Sequence, residues 1–157
     1  MNALRCMIAV AALAACGPAQ AATSDPEVIL YRISGVADSG GAAQTGLVTS
    51  FHCTNFSGVN ETIRVVIRGP TGALLSNTQL TVPHLNTVTW STRDTALLTN
   101  DANTMIGTPV LQGTAAIAST SNNVVCTAML LDASPTFQPV GIKLHLLRFN
   151  PIAGTQE

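Results

Sequence analysis

The chain predicts an all-β, single-domain antiparallel β-sandwich of about eight strands, and three observations carry that expectation. Short runs of alternating apolar and polar residues recur roughly every eight to twelve positions, separated by Gly, Pro, Asn and Asp. The chain has twenty threonines, many at alternating positions in those runs, and a β-branched side chain is stiff at χ1 and suits a half-buried pleat better than a helix. No stretch repeats its apolar residues at helical spacing. A barrel is the alternative closure for the same strands.

Taken in order, residues 28–34 form a first strand closed by Gly35, and 37–42, Ala-Asp-Ser-Gly-Gly-Ala, form a flexible loop. Residues 46–54 alternate Leu47, Thr49, Phe51 and Cys53 against Val48, Ser50 and His52; 61–68 alternate Ile63, Val65 and Ile67 against Thr62, Arg64 and Arg68. Their polar residues predict one wet face for each strand. The turn Gly69-Pro70-Thr71-Gly72 joins the second of these to a strand over 73–76 as a hairpin. Strands over 78–82, ending at Pro83, and 86–92, carrying Trp90, follow. Residues 94–107 read as a loop or one helical turn. Strands over 113–120 and 124–132 flank Ser121-Asn122-Asn123, and Asn tolerates the positive φ of tight hairpin turns, so this pair is expected to be a hairpin. After Pro135 and Pro139, the run 141–149 sets Ile142, Leu144 and Leu146 against Lys143 and His145 as the last strand, with a short tail from Asn150.

Residues 1–21 read as an export signal: a cationic start through Arg5, an apolar run over 6–15, the break Gly17-Pro18, and the A-x-A site Ala19-Gln20-Ala21. Cleavage there starts a mature domain of 136 residues at Ala22, exported to the periplasm or beyond. Leu13-Ala14-Ala15-Cys16 also resembles a lipobox, and cleavage before Cys16 would instead produce a membrane-anchored lipoprotein acylated on that cysteine. The apolar run, about ten residues, is too short for a transmembrane helix.

The domain from Ala22 carries six Lys or Arg against eight Asp or Glu and no basic block. This argues against nucleic acid and anionic membrane surfaces as partners. A protein or glycan partner of unknown identity, or self-association through sheet edges, suits the Thr-rich, sparsely charged surface. Cys53 and Cys126 are its only cysteines, and in an oxidising compartment they are expected to form one disulfide, stapling two sheets together.

Motifs for catalysis are missing: no G-x-S-x-G, H-E-x-x-H, C-x-x-C, P-loop or G-x-G-x-x-G occurs. Of His52, His84 and His145, the first and last fall on the polar sides of alternating strands. They could meet on one sheet face and, with Asp132, form a metal or acid–base site; exposed strand residues are the plainer reading. No metal or cofactor is assigned. Residues 100–104, Asn-Asp-Ala-Asn-Thr, offer oxygen ligands without the spacing of an EF-hand loop. Asn55-Phe56-Ser57 and Asn60-Glu61-Thr62 match the N-glycosylation pattern; in a bacterial protein they are chance matches, and in a eukaryotic one they would mark an exposed loop. Trp90 is expected in the core.

The strand count, the bridged cysteines and Trp90 lying between them resemble an immunoglobulin-like layout. The chain departs from it in placing Trp90 midway between the cysteines and Val124, not tyrosine, two residues before Cys126. The segments Phe51-His52-Cys53-Thr54-Asn55, Val124-Val125-Cys126-Thr127-Ala128-Met129 and Arg148-Phe149-Asn150-Pro151 are similar to a group of small, functionally uncharacterised exported bacterial proteins. That resemblance implies export and a compact fold, and no activity. The functional expectation is a non-catalytic exported binding or structural module. The alternative is an envelope enzyme or inhibitor whose loop-borne site lies near His52, His145 and Asp132.

Overall fold

The computed structural model describes residues 27–95, 101–104, 106, 108–134 and 141–148. The signal segment with Cys16, both prolines at 135 and 139, and the tail from Asn150 lie outside the described residues. Ten strands occur among those described: β1 Val28–Asp38, β2 Leu47–Asn55, β3 Glu61–Arg68, β4 Leu74–Val82, β5 Thr87–Ser91, β6 Asp101–Asn103, β7 Val110–Ser119, β8 Val124–Asp132, β9 Gly141–Lys143 and β10 Leu146–Arg148. They form two five-stranded sheets, ordered β10-β1-β7-β3-β4 and β6-β5-β2-β8-β9. Every pairing is antiparallel except the short parallel contact of β5 with β6. The expected all-β sandwich is therefore the fold, and no helix among the described residues is long and apolar enough to cross a membrane.

Period-two patterning locates the strands because alternate residues face opposite sides of a sheet. Phe51, Cys53 and Trp90 from one sheet meet Ile63, Val65, Ile67 and Ile117 from the other, all fully buried. Tyr31 reaches across the core, its hydroxyl donating to the carbonyl of Val124 at 3.0 Å. A smaller apolar cluster of Val48, Leu131 and Ala133 lies on the opposite face of the β2–β8 ladder.

Long-range pairing departs from the expectation in several places. Ser121-Asn122-Asn123 does not close a hairpin: β7 lies between β1 and β3, while β8 lies in the other sheet beside β2. The segment is an arch between sheets, and side-chain bonds shape it: the Asn123 amide donates to Ser121 Oγ, and Arg148 donates to the Asn122 carbonyl. The run 141–149 divides, with β9 pairing to β8 and β10 to β1, so the chain changes sheet at Leu144-His145. Residues 73–76 and 78–82 join into one strand, β4, and residues 101–103 of the expected loop form β6. The hairpin at 69–72 is present, closed by Gly72 N–H to the Gly69 carbonyl at 3.0 Å with Gly72 at φ 83°.

Gly35 does not end β1. Its φ of 83° coincides with a register shift between Ser34 and Val36, a bulge that kinks the strand and lets it continue to Asp38. Ala37 and Asp38 are consequently buried and are not part of a flexible loop. Asp38 accepts from the Gly40 amide at 2.8 Å and pairs with Arg93. The Arg93 guanidinium also donates to the carbonyls of Gly40 and Thr45, at 2.6 and 3.0 Å, so the glycine-rich segment is held by a buried ion pair.

The disulfide joins Cys53 and Cys126 as expected, but it staples no two sheets. β2 and β8 are neighbours in one sheet, and the two cysteines are direct register partners with Cα atoms 4.1 Å apart. That spacing is the close, non-hydrogen-bonded type of antiparallel pair, whose side chains stand nearest each other. The bridge thus differs from the inter-sheet bridge of immunoglobulin domains.

Candidate functional site

The outer face of the β10-β1-β7-β3 sheet carries a trough whose origin is a row of small residues on its central strand. β7 presents Thr114 and Ala116 outward, with β1 on one side and β3 on the other. Ala116 is opposite Arg32 in β1 and Val66 in β3; Thr114 is opposite Ser34 and Arg68. Short side chains between longer ones leave a hollow of about 440 Å³, within the range of ligand pockets. Leu147 of β10, opposite Arg32, and His145 close its β10 side.

Its charge is one-sided. Among the described residues Arg32, Arg68 and His145 line the trough, and no acidic residue does. The turn after β3 positions Arg68, whose Nη1 donates to the Gly72 carbonyl at 2.9 Å. A guanidinium has five N–H donors, so one such bond orients the group and leaves donors directed elsewhere. Neighbouring arginines serve the fold instead. Arg64 pairs with buried Glu27 at 2.6 Å, and Arg148 stacks over Tyr31 with its guanidinium carbon 5.7 Å from the ring centroid. An apolar floor of Ala116 and Val66 beneath two guanidinium groups and an imidazole suits a ligand with an anionic group and an apolar body.

The three residues proposed from sequence for a polar or metal site are not gathered. His52 lies on the other sheet, where its Nδ1 is 2.8 Å from the Thr89 hydroxyl. Asp132 pairs with Leu47, five positions along β2 from His52 and on the opposite face, about 17 Å away at ~3.4 Å per residue. β8 intervenes between His52 and the segment bearing His145. His84 accepts a hydrogen bond from the Gly58 amide at 3.0 Å. Among the described residues no three His, Cys, Asp or Glu side chains are grouped to hold a metal ion.

Other sequence-level candidates resolve into structural roles. Asn55 has 0% exposure; its amide donates to the Val59 and Val82 carbonyls at 2.7 and 2.8 Å and its oxygen accepts from the Ser57 amide. The first glycosylation match is therefore closed by burial, whereas Asn60 is exposed. Trp90 is a core residue, as expected. Thr104 donates to the Ser91 carbonyl at 2.9 Å and its own carbonyl accepts from Ser76, so this part of the oxygen-rich segment ties β5 to β4.

The trough was missed because its floor is non-local. Outward arginines are legible in the alternation of residues 61–68, but nothing local shows that β7 inserts between β1 and β3. No protein-family model matches the chain, and no curated protein matches it. The crystal structure of Thermotoga maritima 1070 is similar over 75% of this chain and 93% of that chain, with 12% sequence identity and a TM-score of 0.49. That likeness carries no argument about function.

Proposed function

We propose that the protein is a non-catalytic exported binding module whose site is the trough over β7, taking a small ligand with an anionic head and an apolar body. The observation that supports it is the combination at one place of the Arg68 guanidinium, Arg32 and His145 with an Ala116–Val66 floor, with no carboxylate lining it among the described residues. The reading of residues 1–21 as an export signal places the module in the periplasm or outside the cell, soluble or held by a lipid at Cys16. Ser34 and Thr114 line the trough together with His145; the reading assigns these groups to holding the ligand and places no chemistry on it.

Calorimetric titration of the purified chain with decanoate, and with a decyl trimethylammonium salt as the charge-reversed probe, tests the reading. Decanoate is expected to bind and the cation not. Ala116→Leu fills the floor and is expected to abolish binding while preserving the thermal transition. Arg68→Gln is expected to weaken it about tenfold, the loss of one charge-assisted contact of about 1.4 kcal/mol. Equal binding of the two probes, or binding indifferent to Ala116→Leu, would sink the assignment.

A further inference from the structure

Among the described residues, the four sheet edges are unequal. β10, β6 and β9 are three-residue strands, too short to template another chain, whereas β4 is a nine-residue edge. Edge strands are ordinarily defended by lysine, proline or a bulge along their length. β4 reads Leu-Leu-Ser-Asn-Thr-Gln-Leu-Thr-Val, with no charge, proline or glycine, and its one register shift lies at its start. Leu80, although its register partner Ile63 is in the core, remains 39% exposed.

We infer that β4 is the pairing surface for a second copy of this chain, two β4 strands meeting antiparallel across a twofold axis at Thr78. The inference is independent of what occupies the trough. A strand without charge is compatible with its own copy, where a charged edge would repel it, and an isologous contact closes at two subunits. Thr78 is the midpoint of Leu74–Val82, so the longest twofold overlap sets it opposite its twin. Its hydroxyl is buried and has no hydrogen-bond partner among the described residues. A χ1 rotation turns it toward the facing threonine, a favourable cross-strand pair. In this register Leu80 lies against Ser76 of the second copy, and Asn77 against Gln79. The two sheets containing β4 then continue into one ten-stranded sheet.

Asn77 and Gln79 are both exposed on the outer face, so charges placed there test the contact without entering the core. Sedimentation velocity on the full, disulfide-bonded chain is expected to show twice the monomer mass. Asn77→Lys with Gln79→Lys sets like charges opposite one another twice and is expected to yield a monomer with an unchanged circular dichroism spectrum. Asn77→Lys with Gln79→Glu faces each ammonium with a carboxylate across the axis and is expected to restore the dimer. A monomeric wild-type chain overturns the inference, including the case in which another segment of the same chain covers β4. So does a double-lysine variant that remains dimeric, and failure of the lysine–glutamate variant to recover overturns the Thr78 register.

Discussion

Replacing Cys53 and Cys126 together by alanine should cost this domain a large share of its stability through the unfolded chain. The bridge spans 73 residues, and the loop-entropy relation converts a loop of that length to roughly 4.4 kcal/mol at room temperature. Both cysteines are core residues, at 0% and 7% exposure, so the lost sulfur packing adds a further contribution of about 1 kcal/mol. The native strands should stay in place, because Phe51↔Ala128 and Asn55↔Val124 hold the ladder on either side. Urea denaturation of the oxidised chain and the double variant measures the effect. With a slope near 2 kcal/mol/M the midpoint should fall by about 2.7 M, and the slope should rise as the unbridged denatured state expands. A loss below about 1 kcal/mol with an unchanged slope would refute the argument that the bridge acts by restricting the denatured ensemble. Collapse of the β2–β8 amide protection in the variant under native conditions would refute the claim that the ladder holds itself.

Asp38→Ala strands the Arg93 guanidinium at 11% side-chain exposure; a loss of about 3–5 kcal/mol is expected, with replacement of both partners costing less, as a double-mutant cycle would show. Gly113→Ala brings a Cβ to 3.0 and 3.1 Å from the Val36 and Arg68 carbonyl oxygens on the two neighbouring strands. Backbone on both sides cannot yield cheaply, and a fall of about 1–3 kcal/mol in denaturant stability is expected. Tyr31→Phe removes the hydroxyl from the Val124 carbonyl, and a loss of about 1–2 kcal/mol by thermal melting is expected, near zero if water replaces it.

Alternation in residues 46–54 and 61–68 made β2 and β3 legible, because which face a side chain takes is decided within the strand itself. Pairing is not so decided. Ser121-Asn122-Asn123 has the chemistry of a tight turn, yet β7 finds β1 and β3 while β8 finds β2. The same gap hid the setting of Cys53 and Cys126, whose pairing was legible from the cysteine count but whose position within one sheet follows from β8 docking on β2. Gly35 was legible as a positive-φ position and ambiguous between a stop and a bulge. Of the candidate site, Arg68 was visible as an outward residue, while Ala116 acquires meaning only from the two strands that flank it.

The placement of β1 has a kinetic consequence. It has no partner next to it in sequence: its neighbours are β7, where Ile33 faces Ala115, and β10, where Tyr31 faces Arg148. Both contacts require closing long loops before any pairing energy returns, which is the regime of slow, millisecond-to-second folding. During synthesis the first strand therefore waits, its apolar residues unpaired, until β7 has been made, and its other edge stays open until β10 follows. A chain built in this order keeps one sheet open through most of its own synthesis.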